Sequence, residues 1–185
     1  AGILGGNAGM VGAALLAGRA ALWLGTGCVY VGLLDAKGPA VDFAHPELMI
    51  RAAQALPGRL SALAVGPGLG TESTSASLLA AALERNVPLL LDADALNLSG
   101  ADPTLKRALA ARTAPTVLTP HPAEAARMLG TDTASVQADR LHAALEIAAQ
   151  YKALVVLKGC GSIIATPDGR WFINGTGHPG MASAG

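Results

Sequence analysis

Five short segments of the sequence carry side chains and glycines suited to binding a charged ligand. They read GGNAGMVG (5–12), GPGLG (66–70), DADALN (92–97), TPHPAE (119–124) and KGCGS (158–162). Glycines let a backbone approach a ligand closely, and the free N–H groups at the start of a helix attract anions. Carboxylates such as Asp92 and Asp94 ligate Mg²⁺, which retains several of its waters. Lys158 beside glycines suits a phosphate, and the prolines flanking His121 fix an imidazole for contact with a polar ligand.

Each segment also has a plain structural interpretation. The two glycine-rich turns could serve only as tight links between a strand and a helix. Asp94 or Asn97 could cap a turn, because short polar side chains accept hydrogen bonds from backbone N–H groups. His121 could mark only the start of a helix, and Lys158 could be an exposed hairpin residue. A cap does not require a histidine between two prolines, which favours a ligand-binding role for His121.

The elements that position these segments alternate between strand and helix. Continuous apolar runs predict strands, and Ala/Leu-rich runs predict helices. Strands are predicted at 1–5, 28–34, 62–65, 88–91, 116–118, 154–157, 162–165 and 171–173, and helices at 10–24, 45–56, 74–85, 103–111, 122–129 and 135–150. This alternation specifies an α/β sandwich with a mainly parallel sheet and helices on both faces. All five segments follow predicted strands, and ligands of such folds bind at the carboxyl ends of the strands.

Composition excludes several classes of protein. The chain has 185 residues, of which 51% are hydrophobic and 14% charged, which excludes a disordered chain. Thirteen basic and 13 acidic residues give a net charge of 0, so no global basic field attracts nucleic acid or an anionic membrane. Aromatic residues, at 3%, are too few for base-stacking platforms. Cys28 and Cys160 are predicted to be buried small residues in a reducing cytoplasm.

One stretch, 8–34, is almost free of charge and long enough to resemble a membrane span. Arg19 lies near its middle, where insertion costs about 2.5–3.5 kcal/mol. A turn at Gly25-Thr26-Gly27 also interrupts it. A buried helix followed by a buried strand explains the same hydropathy, so no membrane partner is expected.

The two ends of the chain indicate a piece of a longer domain. The chain begins at Ala1 inside a predicted strand and ends at Gly185 inside a glycine-rich run, 174–185. No repeat, linker or change of composition divides it. Residues 1–185 are therefore predicted to form a single domain, truncated at the N- and C-terminus.

Seven segments together are similar to those of one family, in the same order and over nearly the whole chain. They are GGNAGMVGAALLAGRAAL, PELM, GPGLG, LDADALN, LTPHPAEAARML, VVLKGCGSIIATPDGRWFIN and TGHPGMASAG. No single segment is decisive, but the joint occurrence of DADALN, TPHPAE and KGCGSIIATPDG is highly specific. The chain resembles the NAD(P)H-hydrate dehydratases, ADP-dependent in bacteria, of the ribokinase-like superfamily. The resemblance implies a ribokinase-like three-layer sandwich.

The resemblance also implies a repair reaction on hydrated NADH or NADPH. Hydroxide is a poor leaving group, so a phosphoryl group from ADP is placed on the ring hydroxyl of the S epimer of the hydrate. Phosphate then departs, the double bond returns and AMP is released. The implied cofactors are Mg²⁺ and ADP as phosphoryl donor, and the protein supplies positioning and charge neutralisation. A homo-oligomer, a tetramer in this family, and a cytoplasmic location are further expectations.

The resemblance assigns roles to individual residues. Residues matching contacts to the hydrated dinucleotide are Ala13, Gly68 and His121, and those matching AMP contacts are Lys158, Gly159, Cys160, Gly161 and Ser162. Asp92, Asp94 and Asn97 match a polar cluster near the site that is a candidate for holding the metal. The sequence departs from the family at Ala123, usually Gly, and at His178, usually Asn.

The resemblance places the general base outside the given sequence. In the family, the run matching 180–185 continues into Thr-Gly-Asp, and that Asp is the expected base for the ring hydroxyl. No acid within the chain matches it, so these 185 residues alone are expected to be inactive.

Three other functions stay open at the level of sequence. A superfamily kinase for a small alcohol would leave the phosphate on its substrate, whereas a dehydratase releases it. An NAD(P)-dependent reductase fits the glycine turn after the first strand and Asp35, but leaves GPGLG and TPHPAE unexplained. A nucleotide-binding module without a base would bind without turnover.

Overall fold

A computed structural model describes residues 1–177 as nine strands and seven α-helices. The strands are β1 (Gly2–Gly5), β2 (Tyr30–Leu33), β3 (Met49–Ala52), β4 (Leu63–Val65), β5 (Leu89–Leu91), β6 (Thr116–Leu118), β7 (Leu154–Leu157), β8 (Ser162–Ala165) and β9 (Trp171–Asn174). The helices are α1 (Val11–Trp23), α2 (Ser73–Leu83), α3 (Asp94–Ala101), α4 (Pro103–Ala110), α5 (Pro122–Leu129), α6 (Thr133–Ala138) and α7 (Arg140–Tyr151). A single 3₁₀ turn covers Ala53–Ala55.

All nine strands form one sheet in the order β3-β2-β1-β4-β5-β6-β7-β8-β9. The pairs from β3 through β7 are parallel, and β8 and β9 continue the sheet as an antiparallel hairpin. The sheet is therefore mainly parallel, as the alternation of strands and helices predicted. The apolar stretch 8–34 forms α1 and β2. Across residues 1–177, no helix combines the length and apolar character needed to cross a membrane.

Helices cover both faces of the sheet. Successive residues of a strand point to opposite faces, so each strand contributes side chains to a core on either side. Ile3 on β1 belongs to a small core that lies between α1 and the strands β1 and β2. Ala14 of α1 packs into the same core. Leu4, the next residue, belongs to the larger core on the opposite face, which includes Leu118 and Ile147. The predicted sandwich with helices on both faces is confirmed.

The face opposite the larger core is less covered beyond β1. Leu90 on β5 is 36% exposed and Phe172 on β9 is 57% exposed. A groove of about 450 Å³ crosses this face, lined by apolar side chains that include Ala64 and Val117. This face of the sheet therefore presents apolar surface within the part of the chain that the structure describes.

Several helix starts follow directly from local sequence. Asp102, Asp132 and Asp139 each accept a hydrogen bond from a backbone N–H in the first turn of the helix that follows. These bonds satisfy N–H groups that have no partner inside the helix. Gly130 ends α5 with a φ of +70°, a conformation that glycine adopts at little cost.

Three predictions from the sequence are wrong. The helix expected at 45–56 is instead β3 and the 3₁₀ turn, because Met49–Ala52 pairs in parallel with β2 and this tertiary pairing overrides local propensity. The helix expected at 135–150 is two helices, separated at Asp139, whose side chain caps α7. Cys28 and Cys160, expected to be buried, are both exposed free thiols.

Arg112 stabilises the edge of the sheet where β5 and β6 begin. Its guanidinium donates to the carbonyl oxygens of Leu83, Arg85 (3.0 Å) and Val87 (2.7 Å) and to Thr116 Oγ1 at 3.1 Å. The side chain therefore joins the end of α2 to the loops that lead into two adjacent strands.

Replacing Arg112 with Met should lower the free energy of unfolding by about 1–3 kcal/mol, because partly buried carbonyls lose their donors. In a domain of this size, each kcal/mol corresponds to roughly 2–4 °C in Tm. Thermal unfolding followed by circular dichroism measures the change. Arg59→Met, at an exposed position, is the control and should leave Tm nearly unchanged. Equal Tm values for the two variants would contradict the assigned role of Arg112.

Candidate functional site

The five segments singled out in the sequence meet at one edge of the sheet. They follow β1, β4, β5, β6 and β7, which run in parallel, so their carboxyl ends share that edge. The Gly6 N–H donates to the Pro67 carbonyl at 2.9 Å, and the Asn7 N–H donates to the Gly68 carbonyl at 2.6 Å. The two glycine-rich turns, 5–12 and 66–70, thus form one continuous backbone surface beside the start of α1, which we call the floor of the site.

This floor tolerates no side chain at Gly66 or Gly68. A Cβ at Gly66 would lie 1.7 Å from the Asp92 carbonyl oxygen, and one at Gly68 would lie 2.6 Å from Met10 Cβ. Both glycines also have positive φ angles, +128° and +62°. The glycines of GPGLG are therefore needed for close backbone packing, whether or not a ligand is bound.

Ala13 and Gly68, two of the residues expected to contact the dinucleotide, both lie against Met10. Ala13 is in the first turn of α1, where its N–H donates to the Met10 carbonyl at 3.1 Å. Gly68 is buried directly against Met10. The structure therefore brings these two positions together at the amino end of α1.

Asp92 and Lys158 form an ion pair across the end of β6. Lys158 Nζ lies 2.7 Å from Asp92 Oδ1, and the side chains are 42% and 29% exposed. The Lys158 N–H donates to the Pro120 carbonyl at 2.8 Å, which aligns the end of β7 with the TPHP segment. Lys158 therefore faces the site edge and is not a hairpin residue exposed away from it.

Asp94 points in a different direction from Asp92. Asp94 Oδ2 accepts from the Gly70 N–H at 2.8 Å, and Asn97 Nδ2 lies 3.5 Å from its other oxygen. Between the two aspartates, Ala93 has a φ of +49°, a conformation that costs a non-glycine residue about 1 kcal/mol or more. Within residues 1–177, no cluster of three or more His, Cys, Asp or Glu side chains is arranged to hold a metal ion.

His121 is the N-cap of α5. Its Nδ1 accepts from the N–H groups of Ala123 and Glu124 at 3.1 and 3.3 Å. Because Nδ1 is an acceptor, the neutral ring carries its proton on Nε2, which lies 3.2 Å from Glu124 Oε1. The side chain is still 47% exposed, so part of the ring also faces solvent.

Glu124 is the buried partner that the sequence reasoning did not single out as a site residue. It is 4% exposed and accepts from the His121 N–H at 2.8 Å, which completes a capping box. Its Oε2 also lies 3.9 Å from Lys158 Nζ. The three-residue spacing from His121 to Glu124 matches a capping box and could have identified this pair in the sequence. The contact between Glu124 and Lys158 is not visible in sequence.

The KGCGS segment turns sharply after β7. Gly159 and Gly161 have φ angles of +151° and +65°, and Ser162 Oγ donates to the Gly159 carbonyl at 3.1 Å. Arg140, a second residue missed in the sequence, lies beneath this turn and donates to the Cys160 carbonyl at 2.7 Å. No local pattern connects Arg140 with a loop twenty residues further along the chain.

The site therefore consists of two connected groups. Ala13 and Gly68 lie in one, and His121, Asp92 and Lys158 lie in the other, joined by the bond from Gly70 to Asp94. Of the two departures from the family pattern, Ala123 lies in the regular first turn of α5, which accommodates its side chain. His178 and the run 180–185 lie outside the described residues.

Comparison with known proteins gives a consistent family. A family model described as NAD(P)H-hydrate dehydratase matches residues 1–185. An ADP-dependent (S)-NAD(P)H-hydrate dehydratase from Neisseria meningitidis is 45% identical over 99% of this chain and 63% of the relative. A bifunctional NAD(P)H-hydrate repair enzyme from Moorella thermoacetica is 39% identical over 98% of this chain and 37% of the relative. The chain thus spans less than two thirds of the length of these relatives.

Solved structures show the same fold. An ADP/ATP-dependent NAD(P)H-hydrate dehydratase from Bacillus subtilis, co-crystallised with ATP and Mg²⁺, aligns with a TM-score of 0.76 at 32% identity. The alignment covers 98% of this chain and 65% of that protein. A ribokinase-like superfamily protein from Enterococcus faecalis aligns with a TM-score of 0.81 at 25% identity, over 98% of this chain and 64% of that one. The expected ribokinase-like architecture is confirmed.

The capping box at α5 generates a stability prediction for Glu124. Glu124→Ala should lower the free energy of unfolding by about 1–3 kcal/mol, because the partly buried His121 N–H loses its acceptor. Glu124→Gln should retain most of the stability, since glutamine also completes a capping box. Urea denaturation measures both. Glu146→Ala, whose side chain is 53% exposed, is the control. A Glu124→Ala protein as stable as the control variant would show that the capping box is not important.

Proposed function

Since this chain belongs to the NAD(P)H-hydrate dehydratase family, we propose that the full-length protein dehydrates the S epimer of hydrated NADH or NADPH. ADP is the phosphoryl donor, and the products are NAD(P)H, AMP and phosphate. The observation that carries the proposal is the convergence of the family's motif residues at one sheet edge, where Lys158, Asp92 and the His121–Glu124 pair are connected. The sequence similarity to an ADP-dependent relative supports the choice of donor.

The proposed reaction replaces a poor leaving group with a good one. The ring hydroxyl loses its proton and attacks the terminal phosphorus of ADP, so that AMP departs. The carbon–oxygen bond of the ring then breaks and phosphate leaves with the bonding electrons. The neighbouring ring carbon loses a proton, and the double bond of the nicotinamide ring returns. Such a transfer depends mainly on alignment and on neutralising the charge of the phosphates.

We assign the nucleotide to the loop after β7 and the hydrated dinucleotide to the opposite side of the site. Lys158, Gly159, Cys160, Gly161 and Ser162 would contact the AMP part, where Lys158 offers its partly exposed ammonium group. Ala13, Gly68 and His121 would contact the dinucleotide. The partly exposed ring of His121, whose Nε2 carries the proton of the neutral form, supports a hydrogen bond to a polar ligand.

We assign Mg²⁺ to the polar cluster of Asp92, Asp94 and Asn97, although the two aspartates point in different directions. Carboxylate and amide oxygens suit this ion, which binds through one or two carboxylates together with substrate phosphates and water. Asp92 already pairs with Lys158, and Asp94 already accepts from Gly70 and lies beside Asn97 Nδ2. The Asn97 Oδ1 accepts from Arg127, so we propose contact to the ion mainly through water. When bound, the ion would neutralise charge on the phosphates. The Bacillus subtilis relative was co-crystallised with ATP and Mg²⁺, which supports this choice.

The general base is proposed from the family pattern alone. We place it on the aspartate of a Thr-Gly-Asp sequence following Gly185 in the full-length protein. A homotetramer and a cytoplasmic location likewise stay predictions from the resemblance.

The activity is tested by incubating the full-length protein with Mg²⁺, ADP and hydrated NADH. We expect NADH, AMP and inorganic phosphate to form in equal amounts. Accumulation of a phosphorylated product without release of phosphate would instead identify a kinase. Binding of ADP without any turnover would support a nucleotide-binding module, and hydride transfer to or from the cofactor would support a reductase.

The role of His121 requires a variant that preserves the cap of α5. His121→Asn keeps an N-cap acceptor but removes the Nε2 edge, whereas His121→Ala removes both. We expect His121→Asn to raise KM for the hydrate by roughly 2- to 12-fold, the loss of one hydrogen bond, and to leave KM for ADP unchanged. His142→Ala, on the exposed face of α7, is the control. A rise in KM for ADP alone would contradict the assignment.

A further inference from the structure

The loop after β7 is held from below by Arg140, the first residue of α7. Arg140 Nη1 donates to the Cys160 carbonyl at 2.7 Å. Its Nη2 lies 3.3 Å from the Leu157 carbonyl and 3.4 Å from the Lys158 carbonyl. One side chain therefore binds three carbonyl oxygens across the end of the strand and the turn that follows.

The fit between the loop and the guanidinium leaves no free space at Gly159. A Cβ at this position would lie 2.6 Å from Arg140 Nη2 and 3.0 Å from Cζ. The φ of +151° at Gly159 is also one that other residues rarely adopt. The glycine is explained mainly by this φ, and a side chain at position 159 would also displace the arginine beneath it, a contact that the KGCGS motif does not reveal in sequence.

Arg140 also has no acidic partner beneath the loop in the described part of the chain. Within residues 1–177, no carboxylate lies within ion-pair distance of it, and its buried Nε has no hydrogen-bond partner. The adjacent Asp139 accepts from the His142 N–H instead. Carbonyl dipoles bind the Nη1 and Nη2 donors of the guanidinium without neutralising its charge.

Binding the carbonyls from below also orients the N–H groups of the loop. In a trans peptide, the C=O and the following N–H point in opposite directions, and no cis peptide occurs in the described residues. With the Cys160 carbonyl directed at Arg140, the N–H of Gly161 points to the other side of the loop. That side is where a phosphate or ribose oxygen would accept it.

We propose that Arg140 is the positioning residue of the nucleotide site. It holds the 158–162 loop in the conformation that presents the Gly161 N–H, and it adds a positive potential under the phosphates of ADP. This inference rests on the proposed function, because it takes ADP as the ligand of the loop. Arg140 itself lies behind the loop and acts through it.

Kinetic measurements on the full-length protein separate this role from a general structural one. Arg140→Met should raise KM for ADP by about 10- to 100-fold, the loss of several charge-assisted hydrogen bonds, and leave KM for the hydrate within about twofold. Arg140→Lys keeps the charge but cannot bind three carbonyls, so it should raise KM for ADP by less than Arg140→Met does. Arg107→Met, an exposed arginine on α4, is the matched control. Equal rises in both KM values, or no rise for ADP, would overturn the proposal.

A second measurement does not depend on activity. Cys160 lies in the loop and Cys28 lies elsewhere, and both are exposed, so maleimide labelling followed by peptide mass spectrometry reports on the loop with an internal control. In the Arg140→Met variant, Cys160 should be labelled faster than in the wild type, and the labelling rate of Cys28 should be unchanged. ADP should slow labelling of Cys160 in the wild type and much less in the variant.

The labelling outcomes distinguish the two hypotheses. If ADP fails to protect Cys160 in the wild type, the assignment of the nucleotide to this loop is wrong, whatever Arg140 does. If ADP protects the wild type and Arg140→Met equally, the nucleotide assignment stands and the role of Arg140 is wrong. If Arg140→Met does not fold, Arg140→Lys takes its place in both comparisons, and a lysine variant indistinguishable from wild type would overturn the proposal.

Discussion

The ion pair between Lys158 and Asp92 connects the parts of the candidate site. Its 2.7 Å contact spans from the end of β7 to the end of β5, across the end of β6. A partly exposed pair of this kind contributes only about 0–1 kcal/mol to stability. Its importance is therefore geometric, because the same ammonium group also lies 3.9 Å from the buried Glu124 carboxylate. One cation is thus placed between two carboxylates from neighbouring strand ends.

Close backbone packing makes this edge rigid. The Asp92 carbonyl occupies the space where any side chain at Gly66 would lie, and the Pro67 carbonyl does the same at Gly5. The turns after β1, β4 and β5 therefore hold one another in place before any ligand arrives. A rigid site of this kind lowers the entropic cost of aligning two reactants, which is the main requirement of phosphoryl transfer.

At His121 the structural interpretation is confirmed, and it is compatible with the functional one that stays a prediction. The sequence suggested either the start of a helix or a ligand contact between two prolines. The structure shows that Nδ1 caps α5, which leaves the proton on Nε2 and fixes the orientation of the ring. Glu124 adds the second half of the cap and connects the histidine to Lys158. The helix cap is thus the device that would orient the imidazole toward a ligand.

The sequence by itself determined the α/β class, the parallel order of elements and the loops that form the site edge. These features follow from local signals, such as the apolar run of Leu154–Leu157 and the glycine turn at 66–70, which act over a few residues. Tertiary structure alone decided that Met49–Ala52 is a strand, since pairing with β2 outweighs its propensity. It also decided the divergence of Asp92 from Asp94 and the place of Arg140 under the loop at Gly159. These outcomes depend on contacts between residues far apart in the chain, whose energies exceed local preference and leave no pattern in neighbouring residues.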